Sequence, residues 1–391
     1  MLYKFLQDES IQNLPLKIIY QYIYQHGLVS RADIIEHTNL NRGKVARSLI
    51  ELLDYDYIQE VGHGDSEGGR PPTLYQINSI SSYIIGIQIT RFETRIELYD
   101  LNLNKLNENS IMMTAKHRPN VIMEEIKTTV TSFMNTHQIA VEKVLGIGIG
   151  AIGPLDSEKG VILHSEPFLT HNWENLPIVD LIQSEFPVMV KLDNAANTIV
   201  LGESKRNHDY KNILNVTVGW TWGCGVILDG KLFKVESGDI SGYGHMVINI
   251  DGKKCFCGKK GCMTAYSSLY AVLDRIKEYS PAFYQSKLEN SSPIDQVRHI
   301  VSEKDVQTKQ VIMESAKYIG VGAANLATVF RSELVLVNGP LINPYPGYFE
   351  EIIYHASLNI SDPTTVQFRK GNIQRGSLGA ASQIIDSFMQ D

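Results

Sequence analysis

One short loop concentrates the metal-binding chemistry of this chain. The stretch HMVINIDGKKCFCGKKGC runs from His245 to Cys262 and contains His245, Cys255, Cys257 and Cys262, leaving only Cys224 elsewhere. Three soft thiolates and one neutral imidazole are the ligand set of a closed tetrahedral Zn²⁺ site. No position remains for water, so the metal is expected to be structural. It would fix a loop with too few apolar residues to fix itself. Gly258 and Gly261 flank Lys259 and Lys260, which lets the chain turn tightly between the second and third thiols. The alternative is three ordinary buried cysteines, which do not normally cluster at this spacing.

With 391 residues, the chain has room for two or three domains around sizeable cores. No apolar run reaches membrane-spanning length, and Asp8 and Glu9 interrupt what a signal peptide would need. Three of four cysteines belong to the metal loop, so a disulfide framework is not expected and a reducing cytoplasm is. The net charge of −7 argues against indiscriminate nucleic-acid binding but leaves room for a local basic surface.

Such a surface is predicted near the N-terminus. Leu16, Ile19, Tyr20 and Ile23 recur at helical spacing up to Gly27. Ser30 is placed to cap a second helix, with Asp33 in its first turn. After the turn Asn39-Leu40-Asn41 comes a third helix, with Val45, Leu49, Leu52 and Leu53 inward and Arg42, Lys44, Arg47 and Ser48 on its reading side. Two strands follow, joined by a tip containing Gly68, Gly69, Arg70, Pro71 and Pro72. Helix, turn, helix and wing in this order predict a winged helix-turn-helix that binds double-stranded DNA. Arg70, between glycines and prolines, is suited to a narrow minor groove. Acidic residues outnumber basic ones over the first 75 positions, so affinity would rest on a few contacts and on dimerisation.

From Tyr83 the pattern becomes strands and helices: YIIGIQI, RIELYDL, a polar link, a helix over 120–136, and the glycine-rich KVLGIGIGAIGPLD. Later come a helix from Asp193, the hairpin NILNVTVGW/GCGVILDGKLF, helices separated by a polar linker near 281–294, strand ELVLVNGPL and a helix over Ser377–Met389. Mixed strand and helix units predict an α/β fold of two lobes. No tandem repeat is visible.

The zinc loop, the Gly-Gly-Arg-Pro wing, GIGAIGPLD (Gly148–Asp156) and GSLGAAS (Gly376–Ser382) together resemble the ROK family of repressors and sugar kinases, in particular its repressor branch. The resemblance covers about Pro15 to Ser387. It implies a winged helix-turn-helix over 1–80 followed by a two-lobed, actin-like ATPase (ribonuclease H-like) body over 81–391. The small lobe would be about 81–195 plus the C-terminal helix 377–391, and the large lobe about 196–376.

The same resemblance predicts that catalysis is gone. Family kinases carry Asp-x-Gly-x-Thr in the first phosphate loop, where this chain has Gln88, Thr90 and Phe92. Their sugar-site Asn-Asp reads Asn194-Ala195 here, and alanine cannot take a proton from a sugar hydroxyl. The second phosphate loop carries Trp220 and Trp222, two sugar-binding glutamates are replaced by Gly242 and Thr264, and Tyr243 follows the first of them.

Asn172, Asn194 and His245 are retained as ligand-binding candidates, with His245 also serving zinc. The aromatic residues either stack on a ligand or fill a vestigial pocket. The reading is a repressor of carbohydrate genes with a sugar or sugar-derivative effector, acting as a dimer or tetramer on a pseudo-palindromic operator. The alternatives are a sugar kinase with an added domain, or a regulator that senses a protein partner.

Overall fold

Capping chemistry and apolar spacing set out the N-terminal unit. The computed structural model describes residues 1–64, 71–164, 168–234 and 241–389. A helix not foreseen from sequence, α1 (Leu2–Gln7), buries Leu2 and Leu6. In α2 (Leu14–His26), Leu16, Ile19, Tyr20 and Ile23 face the core. After β1 (Val29–Ser30), Ser30 and Asp33 form a reciprocal capping box at the start of α3 (Arg31–His37). Asn39 takes a positive φ in the turn, and the Asn41 side chain accepts the Lys44 N–H at 2.9 Å to start α4 (Arg42–Asp54). β2 (Ile58–His63) and β3 (Thr73–Ile77) pair antiparallel, and β1 adds to β3. Four helices and a three-stranded sheet result.

The body holds two five-stranded sheets of the same topology. The first is built from β4 (Tyr83–Ile89), β5 (Glu93–Asp100), β6 (Lys105–Met112) and β7 (Val144–Ala151), with α5 (Pro119–Thr136) between β6 and β7. The short pair β8 (Leu155–Asp156) and β9 (Val161–Ile162) and α6 (Ile178–Gln183) lead to its last strand, β10 (Met189–Asn194). Its order is β10-β7-β4-β5-β6.

Helix α7 (Ala195–Ser204) crosses to the second sheet, which begins β11 (Ile213–Val218), β12 (Trp222–Leu228) and β13 (Lys231–Leu232). Beyond the cysteine loop come α8 (Thr264–Ser267), α9 (Leu269–Tyr279), α10 (Pro281–Phe283), α11 (Pro293–Ser302) and the long α12 (Val306–Phe330). β14 (Leu334–Asn338), α13 (Tyr348–Ser357), β15 (Gln367–Lys370) and α14 (Gly376–Met389) complete the chain, and the second sheet reads β13-β12-β11-β14-β15. Each sheet is an antiparallel three-strand meander followed by two parallel strands. None of the described helices is long and apolar enough to cross a membrane.

Two expectations change. The polar link after RIELYDL is edge strand β6, whose residues alternate between exposed and half-buried. A polar edge strand carries too little apolar signal to be read as a strand, and its charge protects the edge. The polar linker near 281–294 contains α10 and a π-helical turn, Tyr284–Leu288, that buries Leu288 completely.

Helix α14 ties the whole together. It lies against β4 and β7, where glycines leave room for its backbone. A Cβ on Gly86 would sit 2.0 Å from the Ser377 carbonyl oxygen, and one on Gly148 would sit 1.8 Å from that of Ala380. On its other side it packs against α7. Its C-terminal Ile384, Ile385, Phe388 and Met389 belong to the same core as Leu2, Leu6, Ile19 and Ile23 of the N-terminal unit. The Phe388 ring meets Tyr3 edge-on at 5.8 Å, and the Gln21 and Gln25 amides donate to the Phe388 and Met389 carbonyls at 3.0 and 3.2 Å.

Candidate functional site

Three places carry chemistry. On the N-terminal unit, Arg42, Lys44 and Arg47 are exposed along the start of α4, which has no acidic residue in its first turn. Ser48 does not join them. It is only 5% exposed and faces the core with Val45 and Leu49, because α4 turns its reading side away one residue earlier. Arg70 lies outside the described residues. A basic group that sequence reading passed over is Arg31. It is exposed and donates to the Arg42 carbonyl at 3.1 Å, so it stands beside the start of α4. Its position directly after the capping Ser30 was the available signal.

In the cysteine loop, His245, Cys255, Cys257 and Cys262 come together, with their ligand atoms all within 4.8 Å of one another. The spacing can be tested against a metal. A tetrahedral ion with Zn–S bonds of about 2.3 Å and a Zn–N bond of about 2.05 Å requires S···S edges of about 3.8 Å and S···N edges of about 3.6 Å. The Cys257 and Cys262 sulfurs are 3.7 Å apart, and Cys255 Sγ lies 3.5 Å from His245 Nδ1. The donor chemistry and these two edges fit. Gly258 and Gly261 adopt positive φ, and a Cβ on Gly261 would meet the Asn249 carbonyl oxygen at 1.7 Å. The turn between the second and third thiols therefore requires glycine. Cys255 and Cys262 are buried, while Cys257 is exposed.

The third place is a cavity of about 680 Å³ between the two sheets, a volume typical of small-molecule sites. Asn194 and Ala195 stand on its wall where β10 meets α7. Asn194 Oδ1 accepts the Ala196 N–H at 3.0 Å and so caps α7. The only carboxylate beside Ala195 in sequence, Asp193, is fully engaged. It accepts from Asn194 N–H, Asn197 and Gln383, and it pairs with Lys234 at 2.7 Å. It cannot replace the missing base. Of the three residues predicted to bind ligand together, only Asn194 is among the described cavity walls. Asn172 is exposed at a positive φ, and His245 turns Nδ1 to Cys255.

A clasp joins the two sheets on the cavity wall. Arg91, in the β4–β5 turn, lies over Trp220, in the β11–β12 turn, with its guanidinium carbon 3.8 Å from the ring. It also donates to the Phe168 carbonyl at 2.6 Å. Burial pushes its pKa down to about 10, which leaves it charged at neutral pH. Phe92 reaches from the first sheet into the core of the second. Trp222 is 3% exposed and donates to Ser267 at 2.7 Å, so it is a core residue with one edge at the cavity. Thr264 is likewise buried and donates to the Gly244 carbonyl at 2.8 Å. The aromatics thus line the cavity without filling it.

The profile of the ROK family matches residues 84–385. The chain belongs to the ROK family. This ROK protein is 29% identical over 327 residues to the xylose repressor of Caldicellulosiruptor bescii, covering 82% of this chain and 81% of that protein. It is 24% identical to the xylose repressor of Bacillus subtilis, with 97% of each chain covered. It is 22% identical to the DNA-binding transcriptional dual regulator NagC of Escherichia coli, covering 85% of this chain and 82% of that one. Among solved structures, a ROK family transcriptional regulator homologous to the E. coli MLC protein aligns over 96% of both chains with a TM-score of 0.74 at 22% identity. The ROK hexokinase of Thermus thermophilus aligns over 76% of this chain and 96% of its own, with a TM-score of 0.62 at 21% identity. The hexokinase lacks a counterpart to nearly a quarter of this chain. The two sheets of the body are therefore the ROK kinase scaffold.

Proposed function

We propose that this ROK protein is a DNA-binding transcriptional repressor of carbohydrate-utilisation genes, and that its body senses an effector without transferring phosphate. The observation that carries this reading is the shared core around α14. One continuous helix, Gly376–Met389, follows the cavity-lining Gln374 and ends in the core shared with the N-terminal unit. Repressor relatives named for xylose and N-acetylglucosamine support the carbohydrate class.

Residues 1–80 form the reading head in this account and 81–391 the body. Arg42, Lys44 and Arg47 contact a major-groove half-site, joined by Arg31, and Arg70 enters the neighbouring minor groove. A homodimer would present two heads to a pseudo-palindromic operator. Zn²⁺ held by His245, Cys255, Cys257 and Cys262 would crosslink the loop as a structural ion and supply no reaction chemistry. Asn194, the one of the three expected ligand residues among the described cavity walls, is the candidate sugar-facing group. An effector acts only by binding one arrangement of the two heads better than the other.

Fluorescence anisotropy with fragments upstream of carbohydrate genes tests this. Each specific contact is worth about 1–3 kcal/mol, so Arg42→Ala with Arg47→Ala should weaken operator binding at least about tenfold. Unchanged affinity in the double variant removes the assigned reading surface.

A further inference from the structure

We infer that Phe256 is a positioning residue through which the cysteine loop sets the clasp between the two sheets, acting by way of Tyr270 and Trp220. This goes beyond the regulator reading and concerns the body alone.

Phe256 lies between two of the four ligand residues, Cys255 and Cys257. The chain turns back on itself here. Cys255 N–H donates to the Lys259 carbonyl at 2.8 Å, and Gly258 N–H donates to the Cys255 carbonyl at 3.0 Å. The Phe256 ring is 49% exposed and stands outside the apolar cores of the described residues, so burial does not hold it. It is held by the backbone between its two cysteine neighbours and by two edge-on rings, His245 at 5.4 Å and Tyr270 at 5.5 Å. His245 is itself one of the ligand residues. Binding of Zn²⁺ would therefore fix both the turn that carries Phe256 and one of the rings against it.

Tyr270 carries the contact onward. It is the second residue of α9, and its ring meets that of Trp220 at 6.1 Å. The residue before it ties the same two segments by backbone, since Leu269 N–H donates to the Gly219 carbonyl at 2.9 Å. Trp220 also rests on the core of the second sheet. Losing Tyr270 would therefore change the tilt of the indole without unfolding its turn. The clasp depends on that tilt. Arg91 lies 3.8 Å from the Trp220 ring centre, and a cation is attracted by the face of an aromatic ring and not by its edge. From Arg91 the path enters the other lobe. Arg91 donates to the Phe168 carbonyl at 2.6 Å, and the Phe168 ring stacks on the fully buried Trp173 at 4.1 Å. A ligand residue of the metal loop is thus joined, ring by ring, to the core of the opposite lobe. The state of the loop sets how firmly the two lobes are clasped.

Acrylamide quenching of tryptophan emission in the full chain reads the clasp. Trp173 and Trp222 are 0% and 3% exposed, whereas Trp220 is half-buried, so the solute reports on Trp220, and Trp220→Phe identifies its share. Phe256→Ala keeps all four ligands and should retain about one zinc per chain while making Trp220 more accessible to quencher. Amides of residues 219–222 and 90–92 should exchange about two- to tenfold faster, the worth of one aromatic pair. Those of Ile213–Val218 should keep their protection. Phe256→Tyr should restore both readings. Val247→Ala, at a position 51% exposed in the same loop but off the path, should change neither. Chelation of the unsubstituted chain should speed exchange at 219–222, and chelation of Tyr270→Leu should add nothing there, because coupling along one path is non-additive.

Unchanged quenching and exchange in zinc-loaded Phe256→Ala overturns the inference, as does equal loosening by Val247→Ala. If Phe256→Ala loses its zinc, Tyr270→Leu decides, since it leaves the loop sequence intact. Faster exchange at 90–92 in that variant supports the path, and no change there overturns it. No arm of the experiment uses DNA, so the regulator reading stands or falls separately.

Discussion

Phe388→Ala probes the seam between body and reading head. The ring is 8% exposed, shares a core with Leu2 and Ile19, and meets Tyr3 edge-on at 5.8 Å. Truncating a buried phenylalanine costs about 3–5 kcal/mol, including about 0.5–1.5 for an aromatic pair. The low end applies here, since the site lies at a helix end where neighbours can relax. About 3 kcal/mol changes an equilibrium by about 150-fold. What survives are the Gln21 and Gln25 bonds to the helix-end carbonyls, worth about 1 kcal/mol each. The variant should therefore keep a folded body while its head undocks far more often.

Hydrogen exchange read by mass spectrometry on the full chain measures this. Amides of Leu14–His26 should lose up to about 100-fold of their protection, while β4 and β7 in the body keep theirs. Intrinsic DNA contacts remain, so operator binding should persist and effector response should fall. If exchange in Leu14–His26 is unchanged, α14 does not hold the head. If the body loses protection equally, α14 is a support of the body and the coupling argument fails.

Other consequences follow from the same geometry. Elemental analysis should find about one zinc per chain, and Cys257→Ser or prolonged chelation should lower the melting temperature and loosen residues 245–262 on limited proteolysis. Unchanged melting after both would remove the structural role. Ala195→Asp restores the missing base but should yield no ATP-dependent sugar phosphorylation in a coupled assay, because Gln88, Thr90 and Phe92 still replace the phosphate-loop residues and Arg91 is held over Trp220. Turnover by that single variant would show the clasp to be permissive. The Asp33 carboxyl is held below the usual carboxylate range, first by the Ser30 backbone N–H and then by its hydroxyl. Its folded pKa is depressed, so its stabilisation is complete above the unfolded value near 4 and is lost as pH falls through the lower folded value. Asp33→Ala should cost about 1 kcal/mol at neutral pH and flatten the acid limb of head unfolding, whereas an identical acid limb in the variant would rule out the capping box as its source.

Local chemistry was legible in the sequence because it acts within a few residues. The Ser30 cap, the Asn39-Leu40-Asn41 turn, the four metal ligands around two glycines and the alanine after Asn194 are all written in adjacent letters. The same is true of Arg42, Lys44 and Arg47, while Ser48 shows the limit. Helix phase over one extra residue turned it into the core, and only packing fixes that phase. Edge strand β6 was missed because its polar residues carry no apolar period, and the duplicated sheet order left no trace because topology can repeat without letters repeating.

What tertiary structure alone decided lies between residues far apart in the chain. Trp220 read as either a ligand platform or a filler. Its place under Arg91 makes it half of a clasp, and the space beside it remains open. The C-terminal helix read only as the closing segment of the small lobe. Its contact with Leu2 and Tyr3 at one end and Gln88 at the other makes it the physical link between cavity and N-terminal unit. Such pairings depend on where two sheets and a helix come to rest against one another, and that is set by the sum of many weak contacts that no short pattern encodes.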